Sequence, residues 1–436
     1  MERPREGANL RWKGETPVFQ MALVERPVDF SYCLLCAILI STIMNTKKAL
    51  VFLAFTLFFV TASSVQAAVG TDSRYLVKST SQFWKKSFQV RNVFDSGFTA
   101  DLNDWQLKLV KIFGVEVIPV KKLNILETVV AATKVVAKPI LIKTPTAQIG
   151  WGVKAIYGDT LNDTLPSGGE GINVAILDTG AFVNHPDLKG QITACDDFSG
   201  PNPFVKSSCD DKNGHGTLVA GVIAGNGGPA GKGIYGIAPK SSLMIYKVCM
   251  NDGTCFSDDV ASAIRYSVDK GANIILLSLG SDLESSLIDD AISYATSKDV
   301  MIVGSAGNDG PYIGSMDYPA SNVNVVSVGA VDDMLVVPDW SARGNNKAST
   351  SYNRNFGDLE LVGPGVNIES TANNGYYMTS SGTSMSAAYI AGLAAKEWQT
   401  DAEHPAEATR ELLHKFSQDI LPLGDDSASG WGMPSL

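Results

Sequence analysis

The sequence predicts an α/β protein, a three-layer sandwich with a mainly parallel sheet between helices, preceded by a small α+β domain. The first observation is periodicity. From Thr144 onward, apolar runs at Ile172–Leu177, Ser242–Val248, Ile274–Leu279, Val300–Gly304 and Val323–Val328 alternate with helical stretches near Gly216–Gly225, Asp258–Lys270 and Ser286–Ser297. These runs are continuous rather than alternating, so both faces of each strand are covered, as in a parallel sheet between helix layers. The second observation is charge. Residues 144–436 carry 16 Lys+Arg against 34 Asp+Glu, a net of −18, whereas residues 1–143 carry 19 against 11, a net of +8. The third is size: 436 residues, 45% of them hydrophobic, can bury one large core beside one smaller domain.

Taken in order, residues 1–43 hold an apolar piece, Cys33 to Ile43, too short to span a bilayer comfortably. The simplest reading is a misassigned N-terminal extension with translation beginning at Met44; the alternative is a membrane hairpin or retained anchor. Residues 44–67 have the charged, apolar and small-residue parts of a signal peptide, with Lys47-Lys48, the run Ala49 to Val60, and cleavage expected after Ala67. No stable membrane span is expected in the mature chain. Residues 68–143 form the small α+β domain, with 12 Lys+Arg and 6 Asp+Glu. Strands are expected at Tyr75–Lys78, Val115–Val120 and Pro139–Lys143, and a helix near Ala100–Phe113. Its positive charge suits docking onto the acidic remainder, residues 144–436. That acidity makes a nucleic-acid partner unsuitable, since phosphate binding needs a basic surface.

Four of the six cysteines fall as close pairs around polar loops, Cys195 with Cys209 and Cys249 with Cys255. Two local disulfides, and hence an oxidising compartment, are the natural reading. Metal binding by four thiols is the competing one, with neither CxxC spacing nor a nearby histidine in its favour. Cys33 and Cys36 belong to neither.

Ligands of such sheets bind beyond the carboxyl ends of the strands. Asp178 ends the first strand in Ile176-Leu177-Asp178-Thr179-Gly180. His215 opens the next helix in Asn213-Gly214-His215-Gly216-Thr217. Ser384, in Ser381-Gly382-Thr383-Ser384-Met385-Ser386-Ala387-Ala388, runs into a small-residue helix, where unpaired N–H groups would favour an oxyanion. Each has a plain structural alternative as a turn or helix cap. Together they supply a nucleophile, a general base and a carboxylate to orient the base. Asn308, in Ser305-Ala306-Gly307-Asn308, can offer an amide to the oxyanion.

The segments around Asp178, His215, Asn308 and Ser384 resemble the subtilisin-like serine proteases over roughly Gln148 to the C-terminus. The resemblance implies a secreted serine endopeptidase acting on polypeptides. Asp178 would orient His215, His215 would deprotonate Ser384, and Asn308 with the Ser384 N–H would form the oxyanion hole. It implies that residues 68–143 are a propeptide, an intramolecular chaperone and inhibitor whose C-terminal strand lies in the cleft, and that the protein is a monomer. Substrate would pair with Gly253, Thr254 and Cys255 on one side and Ser278, Leu279 and Gly280 on the other, beside Ala306 and Gly307. Asp317 would floor the first specificity pocket with Asp309 near its rim, favouring Lys or Arg. Self-cleavage after Lys143 would offer that pocket a lysine. A structural Ca²⁺ is implied at Gln148, Asp187 and the altered loop beginning at Asn226. Departures from the family pattern are Leu218 for a histidine, and Ala388 and Tyr389 for Pro and His, which bear on packing. His185, His404 and His414 read as ordinary surface or turn residues. A serine esterase is disfavoured because Gly-x-Ser-x-Gly is absent around Ser384.

Overall fold

The computed structural model describes residues 73–126, 141–161, 164–347, 349, 354–420 and 424–436. The expectations for residues 1–67, including Cys33 and Cys36, lie outside them.

The amino-terminal α+β domain comprises β1 (Arg74–Val77), α1 (Gln82–Ser87), β2 (Val90–Phe94), β3 (Gly97–Asp101), α2 (Asp104–Ile112) and β4 (Val117–Pro119). Its strands form an antiparallel sheet in the order β2-β3-β1-β4. Val77, Trp84, Phe88, Phe98, Leu102 and Val110 make its core. The helix expected from Ala100 begins instead at Asp104, and Ala100 lies in β3. A capping box sets that start: Asn103 Oδ1 accepts the Gln106 N–H and Gln106 Oε1 accepts the Asn103 N–H, each at 2.9 Å.

Two short strands follow, β5 (Lys122–Ile125) and β6 (Leu141–Ile142), then α3 (Trp151–Tyr157). The large domain continues with β7 (Asn173–Asp178), β8 (Ile192–Asp197), β9 (Val205–Lys206), α4 (His215–Ala224), β10 (Ser242–Lys247), β11 (Thr254–Phe256), α5 (Ser257–Asp269), β12 (Ile274–Leu277) and β13 (Leu279–Gly280). After them come α6 (Ser286–Ser297), β14 (Met301–Ser305), β15 (Val325–Val331), β16 (Leu361–Pro364), β17 (Ile368–Thr371), β18 (Tyr377–Ser380), α7 (Thr383–Lys396), α8 (Pro405–Phe416), β19 (Ser417–Gln418) and β20 (Met433–Pro434).

Among the described residues the main sheet runs β16-β15-β14-β12-β7-β10-β8-β9, parallel except for the edge pair β8 and β9. Successive residues of each central strand enter opposite cores. Ile176, Ile245, Leu276 and Val303 pack with Leu218 and Ile223 of α4 and Ile390 and Leu393 of α7. Their neighbours Leu177, Tyr246, Leu277 and Ile302 pack with Val260 and Ile264 of α5 and Ile288 and Ile292 of α6. Each such fully buried Leu or Ile contributes about 1.5–3 kcal/mol of transfer free energy, which is why the runs tolerate no polar alternation. From β7 the chain lays β8, β9 and β10 to one side of the sheet and β12, β14, β15 and β16 to the other. The crevice above the carboxyl end of β7 is therefore the point where strand order reverses.

The small domain docks on the amino-terminal turn of α5 through a buried charge cluster. Arg74 Nη1 lies 3.1 Å from Asp258 Oδ1 and 2.8 Å from Asp259 Oδ2. Arg91 makes a two-pronged contact with Asp259 at 3.0 Å through Nε and Nη2. Thr99 donates to Asp258 at 2.7 Å, and Asn92 donates to both carboxylates. Burial, with Asp258 adjoining, pushes the Asp259 carboxyl up to about 7 against the pull of Arg74 and Arg91. Removing one arm of a buried pair leaves the other charge uncompensated, at about 3–5 kcal/mol. In a chain carrying Ser384→Ala, Arg91→Ala should therefore lower the stability of the docked domain by about that amount, read as an earlier first transition in urea.

Candidate active site

Asp178 is the last residue of β7, 1% exposed. Its Oδ1 accepts the Thr179 N–H at 2.6 Å. His215 is the first residue of α4, and both Asp178 oxygens lie 2.9 Å from its Nδ1. Gly214 caps that helix with φ +108°, a left-handed conformation costly for other residues. A Cβ on Gly216 would lie 2.1 Å from the Gly180 carbonyl, so glycine is what lets α4 approach the end of β7. Burial alone would lower the His215 pKa, but Asp178, with Asp211 more weakly, raises it above 6.5. Nδ1–H faces the carboxylate, and Nε2 is buried with no hydrogen-bond partner among the described residues.

Two residues the sequence reading missed hold this pair in place. The buried Asp211 carboxylate accepts from Thr179 Oγ1 (2.9 Å), Asn213 N–H (3.1 Å), Gly214 N–H (2.8 Å), Thr217 N–H (2.9 Å) and Thr217 Oγ1 (2.6 Å). It satisfies the donors at the start of α4 and ties them to the residue after Asp178. Lys247, on β10 opposite Asp178, donates to the Thr179 carbonyl at 2.6 Å. Burial lowers its pKa, opposed by Asp197, Asp211 and Asp178. An aspartate four residues before a histidine was the signal available.

Ser384 is the second residue of α7, whose cap is Gly382, so it stands among the helix's unpaired N–H groups and is not itself the cap. Its Oγ lies 3.5 Å from the Ser278 carbonyl. Asn308 Oδ1 accepts the Thr383 N–H and the Thr383 hydroxyl, each at 3.0 Å, which fixes the amide beside Gly382. Thr383, also unforeseen, accepts the Gly307 N–H at 3.2 Å as well. Leu218, Ala388 and Tyr389 are buried, and the last two lie in the body of α7, as expected.

β5 lies between β11 and β13, antiparallel to both. Thr254 faces Asn124 and Cys255 faces Leu123; Leu279 faces Ile125 and Gly280 faces Asn124, while Gly253 accepts the Ile125 N–H at 3.0 Å. Of the expected substrate-contacting residues, the two flanking segments thus meet a strand from the chain itself. That strand is Lys122–Ile125 and not the expected Pro139–Lys143, of which Leu141–Ile142 pairs with β18. The reason is packing: Leu123 is fully buried and Ile125 8% exposed in the core under α5 and α6. Asp317 is 5% exposed, with its N–H on the Ala306 carbonyl at 2.8 Å. Cβ atoms on Gly280 and Gly307 would each come within 2.8 Å of its carboxyl, so these glycines wall the space around it. Burial first, then Asp309 and Asp282, push its pKa up to about 7.

Gln148, Asp187 and the loop from Asn226 come together. Asp187 Oδ2 accepts the Ile234 N–H at 2.8 Å, and a Cβ on Gly233 would meet Oδ1 at 2.0 Å, so the loop wraps the carboxylate. The Gln148 amide contacts the Gly231 carbonyl. The Asn226 Oδ1 accepts the Gly228 N–H at 3.0 Å, and its Nδ2 donates to the Lys189 carbonyl at 3.4 Å. Among the described residues no group of three or more His, Cys, Asp or Glu is placed to hold a metal. Carboxylate, amide and carbonyl oxygens around one loop fit only a hard cation.

His185 and His414 are not surface residues. His185 is buried, accepting the Asp187 N–H on Nδ1 at 3.1 Å with Nε2 2.9 Å from the Tyr376 carbonyl. His414 lies 2.7 Å from Glu360; burial alone would raise that carboxyl, but Arg410 and His414 hold it at about 2. Cys195–Cys209 and Cys249–Cys255 are disulfides, with Cα separations of 5.2 and 4.1 Å. No helix among the described residues is long and apolar enough to cross a membrane.

A buried carboxylate–imidazole pair and a helix-start serine thus stand above the carboxyl ends of a parallel sheet. The subtilase family profile matches residues 169–432. A subtilisin of Bacillus sp. (strain TA39) is 40% identical over 360 residues, covering 78% of this chain and 84% of that protein. Subtilisin Savinase of Lederbergia lenta is 32% identical over 287 residues, 65% of this chain and 96% of that one. The solved structure of Sphericase superposes with a TM-score of 0.64 at 41% identity, covering 67% of this chain and 99% of that one. The chain belongs to the subtilase family and is a subtilisin-like serine protease.

Asp211→Ala removes the donors' common acceptor without touching the nucleophile. It should cost about 2–4 kcal/mol of stability, measured by thermal unfolding, and lower kcat with KM little changed; Asp211→Asn should recover part of both.

Proposed function

We propose that the protein is a secreted serine endopeptidase made as a self-inhibited precursor, with Ser384 as nucleophile, His215 as general base and acid, and Asp178 holding the imidazole. The carrying observation is the 2.9 Å contact of both Asp178 oxygens with His215 Nδ1, which leaves Nε2 as the only basic nitrogen. Asn308 and the Ser384 N–H would stabilise the oxyanion, an amide held by Thr383 requiring no reorganisation as charge develops. Substrate would take the position of β5, paired with Gly253, Thr254 and Cys255 and with Ser278, Leu279 and Gly280, beside Ala306 and Gly307. The basic α+β domain, docked on Asp258 and Asp259 with its following strand in the cleft, would act as the inhibitor.

Secretion is supported by the signal-like residues 44–67 and by two disulfides, which persist in oxidising compartments. A structural Ca²⁺ would sit at Gln148, Asp187 and the carbonyls of the loop from Asn226, pinning that loop to the domain. Asp317 would confer a preference for Lys or Arg at the residue preceding the scissile bond.

The test of the nucleophile is covalent labelling by a fluorophosphonate, expected for the wild type and lost in Ser384→Ala together with peptidase activity. A raised His215 pKa favours the imidazolium, so the base is free only above it: kcat/KM should rise with pH through a value above 6.5. Asp178→Asn should lower kcat by about 10⁴ and, with burial left as the main influence, move that limb to lower pH. Labelling that survives Ser384→Ala, or a limb unmoved in Asp178→Asn, contradicts the assignment.

Asp317 is charged only above about 7. The preference for Lys over Leu in otherwise identical peptides should therefore grow, by about tenfold, as pH rises through that value, and Asp317→Asn should abolish the pH dependence.

A further inference from the structure

The expected self-cleavage after Lys143 places a lysine in the specificity pocket, but Lys143 follows β6, and its Nζ lies 6.0 Å from the centre of the Tyr376 ring. The strand lying along the cleft ends 18 residues earlier in the chain, at Ile125. Its register is fixed on both sides, Thr254 and Gly280 each facing Asn124, and Leu279 facing Ile125. In an antiparallel pair each step forward on one strand is a step back on the other. The register of the paired strands ends at Ile125 and Leu279; continued by one residue, it would bring Leu126 opposite Ser278. Ser278 is the residue whose carbonyl lies 3.5 Å from Ser384 Oγ, and whose own hydroxyl donates to the Ser384 carbonyl at 3.3 Å.

We infer that the precursor first cuts itself at the peptide bond on the carbonyl side of Leu126, between Leu126 and Glu127, within its own cleft. This rests on the reading of Ser384 as the nucleophile. Ser384 Oγ adds to the Leu126 carbonyl carbon while its proton passes to His215 Nε2. The C–N bond to Glu127 then breaks, and its nitrogen takes that proton and leaves as a new amino terminus. Water, losing a proton to the same imidazole, hydrolyses the ester, giving the Leu126 carboxylate and restoring the hydroxyl.

Two features favour this bond. Leu123, fully buried, and Ile125, 8% exposed, anchor the strand on the non-leaving side, so the register does not slip. Asp317, walled by Gly280 and Gly307, is neutral below about 7, so its charge does not exclude an apolar side chain at Leu126. After this cut the large fragment still carries residues 127–143, and any end nearer Thr144 is a second, later product.

The test follows the full chain through refolding, with intact mass and N-terminal sequence taken at early times. The earliest large fragment should begin at Glu127, its partner should end at Leu126, and the rate should not change over a tenfold range of chain concentration. Leu126→Asp should slow this cut at least tenfold, Leu126→Met should keep it, and Lys143→Ala should leave it unchanged. An earliest fragment beginning at Thr144 or elsewhere, a rate proportional to concentration, or an unaltered cut in Leu126→Asp overturns the inference, while fluorophosphonate labelling of Ser384 leaves the protease reading intact. A chain that neither cuts itself nor labels at Ser384 overturns that reading as well.

Discussion

The structure depends on satisfying one carboxylate where water does not reach it. Asp178 ends a strand buried on both faces, and taking a charge out of water costs several kcal/mol unless it is met by donors. The Thr179 N–H and His215 Nδ1–H meet it directly. Lys247 lies on the adjacent strand, and Asp211 fixes the loop that delivers His215. Each demands something of the fold: β10 must be in register with β7, α4 must start without a side chain at Gly214, and Gly216 must let helix and strand nearly touch. The geometry of the proposed catalytic pair and the local stability are in this sense one set of hydrogen bonds.

A second buried charge system sits at the start of α5. Asp258 and Asp259 open α5 directly after β11, so the helix that receives Arg74 and Arg91 is continuous with one wall of the cleft. Docking of the small domain and insertion of β5 are therefore mechanically linked through β11. Adjacent aspartates at a solvent-facing helix start would repel each other; the small domain supplies two guanidiniums, an amide and a hydroxyl in compensation. This agrees with the opposite charge of the two parts of the sequence.

The sheet and Asp178, His215, Asn308 and Ser384 were legible because each rests on a local requirement. Doubly buried strands must be continuously apolar, and a histidine or serine that must approach other backbone is flanked by glycine or small residues. What was not legible depends on partners remote in sequence. β8, with the pattern Ile192–Asp197, is half exposed and carries a disulfide cysteine, so it shows no apolar run. Asp211 and Thr383 are ordinary polar residues until Thr179 and Asn308 fold against them. His185 reads as a surface or turn residue; it lies in a turn but is fully buried beside Asp187, a contact no spacing rule reveals. The strand in the cleft was misplaced because Pro139–Lys143 is as apolar as Lys122–Ile125; only the pocket that buries Leu123 distinguishes them.

With substrate in the place of β5, as proposed, the flanking of one strand by two others has a consequence for what the enzyme can digest. Between β11 and β13 there is room for two inter-strand spacings, about 9–10 Å, which a single extended chain fills and a helix of about 10–12 Å diameter does not. A compact protein can present its chain there only after a segment of several residues has left its own fold. For globular targets the governing quantity is then the free energy of local opening in the target. When opening and closing are fast relative to cleavage, the rate measures that equilibrium, and susceptible bonds map the weakest segments of the prey rather than a sequence motif.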